Sequence, residues 1–208
     1  AYHEPDQLYH IAEDALELGL RRIKITGGEP FLHPGMCDIL YELKKTGLSL
    51  TMETNGTLIG KREALALKDN AVRFSVSIDG PTAELHDSLR GVKGAFDKTM
   101  TGLEYVRRQK LDFQIISCLY RGNSDRMLEM VDFARQAGAG SLKINVINGI
   151  ARSDKMNMAG ELLTVPEVLS VYRNFKRELS GLDDFRVIFD IPPAFRSLHE
   201  IRTHGFGA

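Results

Sequence analysis

The chain has 208 residues, 43% of them hydrophobic and 26% charged, which is enough for a folded domain with a sizeable core. Its 27 Lys and Arg residues are balanced by 28 Asp and Glu residues, so no basic field exists to hold a nucleic-acid backbone. No apolar run approaches the roughly 18 to 20 residues needed to cross a bilayer, and the N-terminus lacks a signal-peptide layout. We therefore expect a soluble cytoplasmic protein without nucleic-acid or membrane partners.

The chain begins with a predicted helix and continues as five strand–helix repeats. Apolar residues at helical spacing predict the first helix over 6–18. Strands are predicted at 21–26, 48–54, 72–78, 113–119 and 142–147. The helices that follow them are predicted from Pro34 to Gly47, over 59–68, over 94–108, from about Ser124 to Gly138, and from the capping box of Thr164 and Glu167.

This alternation indicates βαβ units on a parallel sheet, because parallel neighbouring strands need a crossover connection. The expected fold class is α/β. Since a helix comes first and the first strand would otherwise be a bare sheet edge, we expect a further strand upstream of residue 1. The core is expected over 1–180, and 181–208 is expected to link it to a further C-terminal region.

Polar residues are concentrated where the predicted strands end, which is where parallel sheets bind their ligands. The segments are Gly27-Gly28-Glu29-Pro30, residues 53–57, Ser77 with Asp79 and Gly80, residues 121–123, and Asn145 with Asn148 and Gly149. Two glycines let a backbone approach a ligand closely, and a Glu beside them can accept hydrogen bonds from an ammonium group. An ordinary tight turn with a solvated Glu, and an ordinary Asn55-Gly56 turn, are the plainer interpretations.

The third predicted strand presents Ser75, Ser77 and Asp79 on one face. These groups must bond to each other, to water or to a ligand, since an unpaired one costs about 1–3 kcal/mol. Arg90 lies in a predicted loop further on, where it can clamp a carboxylate or simply be solvated. A satisfied polar patch remains the alternative for the strand.

Cysteine and histidine predict no metal ligands in this chain. Cys37 and Cys118 are far apart and lack a CxxC partner, so they cannot form a self-contained zinc or iron–sulfur site. No two of the six histidines have the i, i+4 spacing of a helical zinc site.

Together the motifs resemble the radical S-adenosylmethionine (radical SAM) enzymes, and most closely the branch with C-terminal SPASM or twitch cluster domains. The segments that carry the resemblance are ITGGEP at 25–30, ETNGT at 53–57, SIDGPTAELHDSLRG at 77–91 followed by GAF at 94–96, Asn123, and NGIAR at 148–152 before LLTVPEV. The resemblance extends from residue 1 to about 180.

This resemblance implies a partial (β/α)6 barrel that binds a [4Fe–4S] cluster and S-adenosylmethionine (AdoMet). In such enzymes an external electron donor reduces the cluster, and the reduced cluster cleaves AdoMet. The resulting radical abstracts a substrate hydrogen. The implied substrate is a peptide or protein, or a small molecule in cofactor biosynthesis.

The motifs also imply a role for individual residues. Gly27, Gly28 and Glu29 would hold the methionine amino group, and Asn55 would support the same pocket. The ribose or carboxylate would contact Ser77 and Asp79, the carboxylate would contact Arg90, and the adenine would lie near Ile147 or Asn148.

One departure from the family is large, because its three cluster cysteines, spaced CxxxCxxC, are absent. We expect the cluster ligands outside this chain and the chain alone to be inactive. Two alternatives stay open: a cluster-less barrel that serves as a peptide-binding or scaffold module, and a phosphate- or nucleotide-binding βα enzyme that uses Gly27-Gly28. Lys24 with Glu53, and Lys143 with Asn145, could contact substrate or only hold the strands together.

Overall fold

The computed structural model describes residues 5–147, 156, 158–179, 184–192 and 195–196. Six parallel strands form one sheet whose order follows the chain. The strands are β1 (Arg22–Ile25), β2 (Ser49–Thr54), β3 (Arg73–Ser77), β4 (Phe113–Leu119), β5 (Ser141–Val146) and β6 (Arg186–Asp190). The described sheet is open, as in a partial barrel, and the predicted fold class is confirmed.

Helices separate the strands along the chain. They are α1 (Pro5–Glu17), α2 (Met36–Lys45), α3 (Lys61–Asp69), α4 (Ala83–Arg90), α5 (Ala95–Arg108), α6 (Met127–Gln136) and α7 (Val165–Glu178). The capping box that predicted the start of α7 is present, because the Glu167 carboxylate accepts from both the backbone N–H and the hydroxyl of Thr164 at 2.8 Å. No described helix combines the length and apolar character that crossing a membrane requires.

The chain divides into two compact units. The first comprises Ala1–Ser77 and Arg90–Gln114, and the second comprises Ile78–Leu89 and Ile115–Ala208. Each has its own buried core, where a large aliphatic side chain contributes about 1.5–3 kcal/mol. Among the described residues, the largest fully buried side chains are Ile39, Leu40, Met52, Leu67 and Leu103 in the first unit, and Ile78, Ile115, Leu119, Met130, Leu142, Ile144 and Ile191 in the second.

Strand β2 shows how the sequence places polar groups in the first unit. Leu50, Met52 and Thr54 are buried, whereas the residues between them are half-buried, as the period of two along a strand requires. The same alternation places Lys24 and Ser75 on the polar face of their strands. This unit therefore has one apolar sheet face under helices and one polar face.

The structure corrects three predictions. Ala83–Arg90 is a helix and not a loop: Thr82 caps it by accepting from the Leu85 N–H, but its two turns hold too few apolar residues for a helical pattern. Ile11, one of the apolar residues whose helical spacing predicts the first helix and its buried face, is 58% exposed. Strand β6 lies within the predicted linker.

Strand β6 pairs with β5 from Ser141 opposite Arg186 to Asn145 opposite Asp190, so the core extends beyond residue 180. The apolar run at 187–189 supplies this strand, and the Phe189 ring packs edge-on against Tyr172 at 5.1 Å. The motif at 148–152, including Asn148 and Gly149, and the histidines at 199 and 204 lie outside the described residues.

Candidate functional site

The turn after β1 leaves its backbone open. Gly27 has a φ of +145°, a conformation that favours glycine, and both Gly27 and Gly28 are exposed. A Cβ placed at either position would meet nothing within 4 Å. The requirement for glycine at position 27 is therefore conformational, and a ligand can approach the backbone of this turn closely.

Glu29 follows in the same turn, and its carboxylate is buried at 9% exposure. One oxygen, Oε1, accepts from the Phe31 N–H at 3.2 Å and from the Thr54 hydroxyl at 2.7 Å. The other, Oε2, accepts from the Asn55 N–H at 2.6 Å. Glu29 is thus not a solvated turn residue: it clamps the turn after β1 to the turn after β2, and one of its roughly four acceptor positions remains for a ligand.

The turn after β2 is held by its own side chains as well. The Gly56 N–H donates to the Thr54 hydroxyl at 3.0 Å, and Asn55 Oδ1 accepts from both the N–H and the hydroxyl of Thr57, at 2.9 and 2.8 Å. The Thr99 hydroxyl on α5 lies 2.8 Å from the Asn55 carbonyl oxygen. Asn55 is therefore fixed through its backbone and through its side-chain oxygen.

The polar face of the first unit carries an ion pair. Lys24 Nζ lies 2.6 Å from Glu53 Oε1, and the two side chains are 55% and 33% exposed. Further along, the Ser75 hydroxyl donates to Gln114 Oε1 at 3.3 Å. Because a partly exposed ion pair adds little stability, this face remains accessible to a polar ligand at small cost.

In the second unit, Asp79 is only 1% exposed and belongs to a buried hydrogen-bond network. Its Oδ1 accepts from the Cys118 N–H at 2.9 Å, and its own N–H donates to His86 Nδ1 at 3.1 Å, which places the proton of a neutral imidazole on Nε2. Asn123 Nδ2 donates to the carbonyls of Asp79 and Cys118, both at 2.8 Å. Burial raises the pKa of the adjoining Tyr120 phenol, and the Asp79 carboxylate adds to the shift.

Two other predicted site residues are more accessible. Ser77 is half-buried at the end of β3, and Arg90 is exposed at the last position of α4. Of the predicted site residues, Glu29 and Asn55 are in direct contact, and Gly27 and Gly28 come directly before Glu29 in the chain.

The sequence did not single out Thr54, Thr99 or His86 as site residues. Thr54 and His86 stood inside the motifs ETNGT and SIDGPTAELHDSLRG, which was the available signal. Thr99 stood in no motif, and its role became visible only through its contact with Asn55.

A second cluster of charges secures the start of α7. The Arg121 guanidinium pairs with both oxygens of Glu167, at 2.6 and 2.9 Å, and donates to the carbonyls of Gly160 and Leu162. This guanidinium and the Thr164 capping bonds lower the pKa of Glu167 to about 2. These contacts hold the loop before α7 against the start of that helix, so we assign Arg121 and Glu167 a structural role.

The described residues do not fit an iron–sulfur cluster. Within them, no three His, Cys, Asp or Glu residues are grouped so as to hold a metal ion. Cys37 is buried in α2, where desolvation raises the pKa of its thiol, and Cys118 is half-buried in β4. A [4Fe–4S] cluster needs more thiolates than these two can supply.

Comparison with known proteins adds sequence relatives. The AdoMet-dependent heme synthase of Oleidesulfovibrio alaskensis is 31% identical over 168 residues, which is 79% of this chain and 43% of that protein. The antilisterial bacteriocin subtilosin biosynthesis protein AlbA of Bacillus subtilis is 28% identical over 149 residues, covering 71% of this chain and 33% of that protein. The chain thus spans less than half the length of these relatives.

Solved structures share the fold at lower identity. Streptococcus suis SuiB bound to precursor peptide SuiA matches 90% of this chain and 42% of its own, with a TM-score of 0.76 at 16% identity. Native anSMEcpe with bound AdoMet matches 97% of this chain and 58% of its own, with a TM-score of 0.73 at 18% identity. The sequence model of the Radical SAM superfamily matches residues 1–134, more than half of the chain. The chain therefore belongs to the radical SAM superfamily.

Proposed function

We propose that this chain forms the AdoMet-binding core of a radical SAM enzyme. The superfamily binds AdoMet and a [4Fe–4S] cluster, which together supply reductive cleavage of AdoMet and hydrogen abstraction from a substrate. What this chain contributes is binding and orientation of AdoMet.

The single observation that carries the proposal is the turn after β1. The exposed backbone of Gly27 and Gly28 adjoins the Glu29 carboxylate, which is fixed by three hydrogen bonds and keeps one acceptor position. An α-ammonium group donates three hydrogen bonds, so it fits a site that offers this carboxylate and the carbonyls of two open glycines. Because Glu29 is already ordered, little conformational entropy is lost when the ligand binds.

The remaining site residues are proposals from the motifs. The half-buried Ser77 hydroxyl and the Asp79 carboxylate would serve the ribose or carboxylate, and the exposed Arg90 would serve the carboxylate. Ile147 is half-buried, with its N–H donating to the Leu119 carbonyl at 3.2 Å, and would lie near the adenine.

We propose that the cluster ligands lie outside this chain, since the cysteine, histidine and carboxylate side chains of the described residues are not grouped so as to hold a cluster. The 208-residue chain alone is then expected to bind no cluster and to be inactive. We propose that the region after β6 links this core to a further domain, and that the core ends later than residue 180 because β6 pairs with β5.

For the substrate, we propose a polar peptide or a polar precursor in cofactor biosynthesis. A heme synthase and a bacteriocin biosynthesis protein are among the relatives. The Lys24–Glu53 pair and the Ser75–Gln114 pair on the polar face of the first unit would contact such a substrate. An external electron donor completes the proposed set of partners.

The test is AdoMet affinity, measured by equilibrium dialysis. The protein is expressed from its complete gene and reconstituted anaerobically with iron and sulfide. We expect AdoMet binding that weakens at least about tenfold in Glu29→Ala, the loss expected for one charge-assisted hydrogen bond, and is unchanged in the exposed control Glu13→Ala. Absence of binding by the iron-loaded wild type would refute the proposal and favour a peptide-binding or scaffold module.

A further inference from the structure

We infer that helix α5, through Thr99 and Gly102, positions Asn55 so that its side-chain amide donates to an oxygen atom of AdoMet. The inference rests on the proposed function, in which Asn55 lines the AdoMet site. Thr99 and Gly102 are positioning residues, because they act on the ligand only through the turn after β2.

The Thr99 hydroxyl is completely buried and faces the turn. Its Oγ1 lies 2.8 Å from the Asn55 carbonyl oxygen and 3.0 Å from the Ala95 carbonyl oxygen of its own helix. A hydroxyl carries one proton, and the Ala95 carbonyl also serves the helical hydrogen-bond ladder. The hydrogen bond to Asn55 is therefore the polar contact by which Thr99 holds the turn.

Gly102 lies one turn further along the same face of α5. A Cβ at this position would lie 2.2 Å from the Gly56 carbonyl oxygen and 3.3 Å from Ile59 Cβ. A Cβ atom cannot lie 2.2 Å from a carbonyl oxygen, so α5 can pack this closely against the turn only with glycine at position 102. Gly56 itself has a φ of +76°, and a Cβ there would meet Thr99 Cγ2 at 3.1 Å.

These contacts determine which donor of the turn is left for a ligand. The N–H groups of residues 55, 56 and 57 donate to Glu29, to Thr54 and to the Asn55 side chain, respectively. Asn55 Oδ1 also accepts from the Thr57 hydroxyl. In the described part of the chain, no partner contacts Asn55 Nδ2. The amide N–H groups of the half-buried Asn55 are thus the donors of the turn that remain for a ligand, and the Asn55 side chain is held by Thr57 and its backbone by α5.

The experiment compares AdoMet affinity in three variants of the reconstituted protein expressed from its complete gene. Thr99→Val keeps the shape of the side chain and removes the donor, and Thr99→Ser keeps the donor. The matched control is Thr101→Val, because Thr101 makes the same bond to the carbonyl four residues earlier but is exposed. We expect Thr99→Val to bind AdoMet about tenfold more weakly, and the other two to stay within about twofold of wild type.

Hydrogen exchange gives a second readout that global destabilisation would not reproduce. Thr99→Val is expected to accelerate exchange of the amides at 55–57 and to leave those of α6 unchanged. If Thr99→Val does not fold, Thr99→Ala carries the test, since it also removes the hydroxyl that reaches the Asn55 carbonyl and leaves the other bonds of the turn in place. We expect that variant to bind AdoMet several-fold more weakly.

The two hypotheses fail in different ways. If the wild type does not bind AdoMet, the proposed function fails. If the wild type binds AdoMet, and Thr99→Val, or Thr99→Ala in its place, binds equally well, the proposed function stands and the positioning role of α5 is overturned.

Discussion

Replacing Glu29 by Gln tests whether this carboxylate holds the two turns together. Gln has the same shape but offers one oxygen and one NH2 group. If the NH2 group takes the place of Oε2, it faces the Asn55 N–H, a donor against a donor. If it takes the place of Oε1, it faces the Phe31 N–H and the Thr54 hydroxyl, whose oxygen already accepts from Gly56. Neither orientation satisfies all three donors.

Of the two orientations of the Gln side chain, the one that loses only the charge-assisted bond to the Asn55 N–H costs less free energy of unfolding. A donor left unpaired in a buried site costs roughly 1.5–3 kcal/mol. For a chain of this size, each kcal/mol lowers the melting temperature by about 2–4 °C, so Glu29→Gln is expected to lower it by about 3–12 °C.

The assay is thermal unfolding followed by circular dichroism, with Glu42→Gln as the control. Glu42 pairs with Lys45 on the surface, and its replacement is expected to change stability by less than about 0.5 kcal/mol. A Glu29→Gln melting temperature within about 1 °C of wild type would refute the reasoning, since it would mean that the contacts of Glu29 add no net stability.

Three further changes are predicted. Asn123→Ala removes three buried hydrogen bonds and is expected to lower the free energy of unfolding, measured by urea titration, by about 3 kcal/mol. The exposed control Asn174→Ala is expected to stay near wild type. Equal free energies of unfolding for the two variants would contradict the network around Asn123. The pKa of Glu167 is about 2 in the fold against an ordinary 4.5, so its stabilising contribution is complete above pH 4.5 and is lost as the pH falls toward 2. Over that interval the urea midpoint of the wild type should fall more steeply than that of Glu167→Gln. Parallel curves for the two proteins would count against the lowered pKa. The double variant of Cys37→Ser and Cys118→Ser, made in the protein expressed from its complete gene, is expected to keep the iron content of wild type by colorimetric assay, and a loss of iron would show that one of these thiols is a ligand.

Local patterns in the sequence predicted much of the fold. The period of two in β2 and the apolar stripes of α2 and α5 depend on neighbouring residues alone, so their positions were predicted to within a few residues. Helix α4 was missed because its two turns carry only Leu85 and Leu89 as large apolar residues. The pattern around strand β6 predicts a linker, because its apolar run is short and a proline follows closely.

The candidate site was predictable at the level of strand ends but not of contacts. Glu29 and Asn55 were expected near each other because the carboxyl ends of neighbouring parallel strands lie at one edge of the sheet. Their direct hydrogen bond, and the bond from Thr99 to a residue 44 positions earlier, depend on side-chain rotamers and on how α5 is rotated. A sequence pattern specifies neither.

Formation of 5′-deoxyadenosine from AdoMet tests the central claim most directly. The protein is expressed from its complete gene, reconstituted anaerobically with iron and sulfide, and reduced with dithionite, and the product is quantified by chromatography. The account predicts that wild type forms 5′-deoxyadenosine and that Glu29→Ala forms it at least about tenfold more slowly at subsaturating AdoMet. An iron-loaded wild type that forms no 5′-deoxyadenosine, or a Glu29→Ala variant that matches it, would contradict the account.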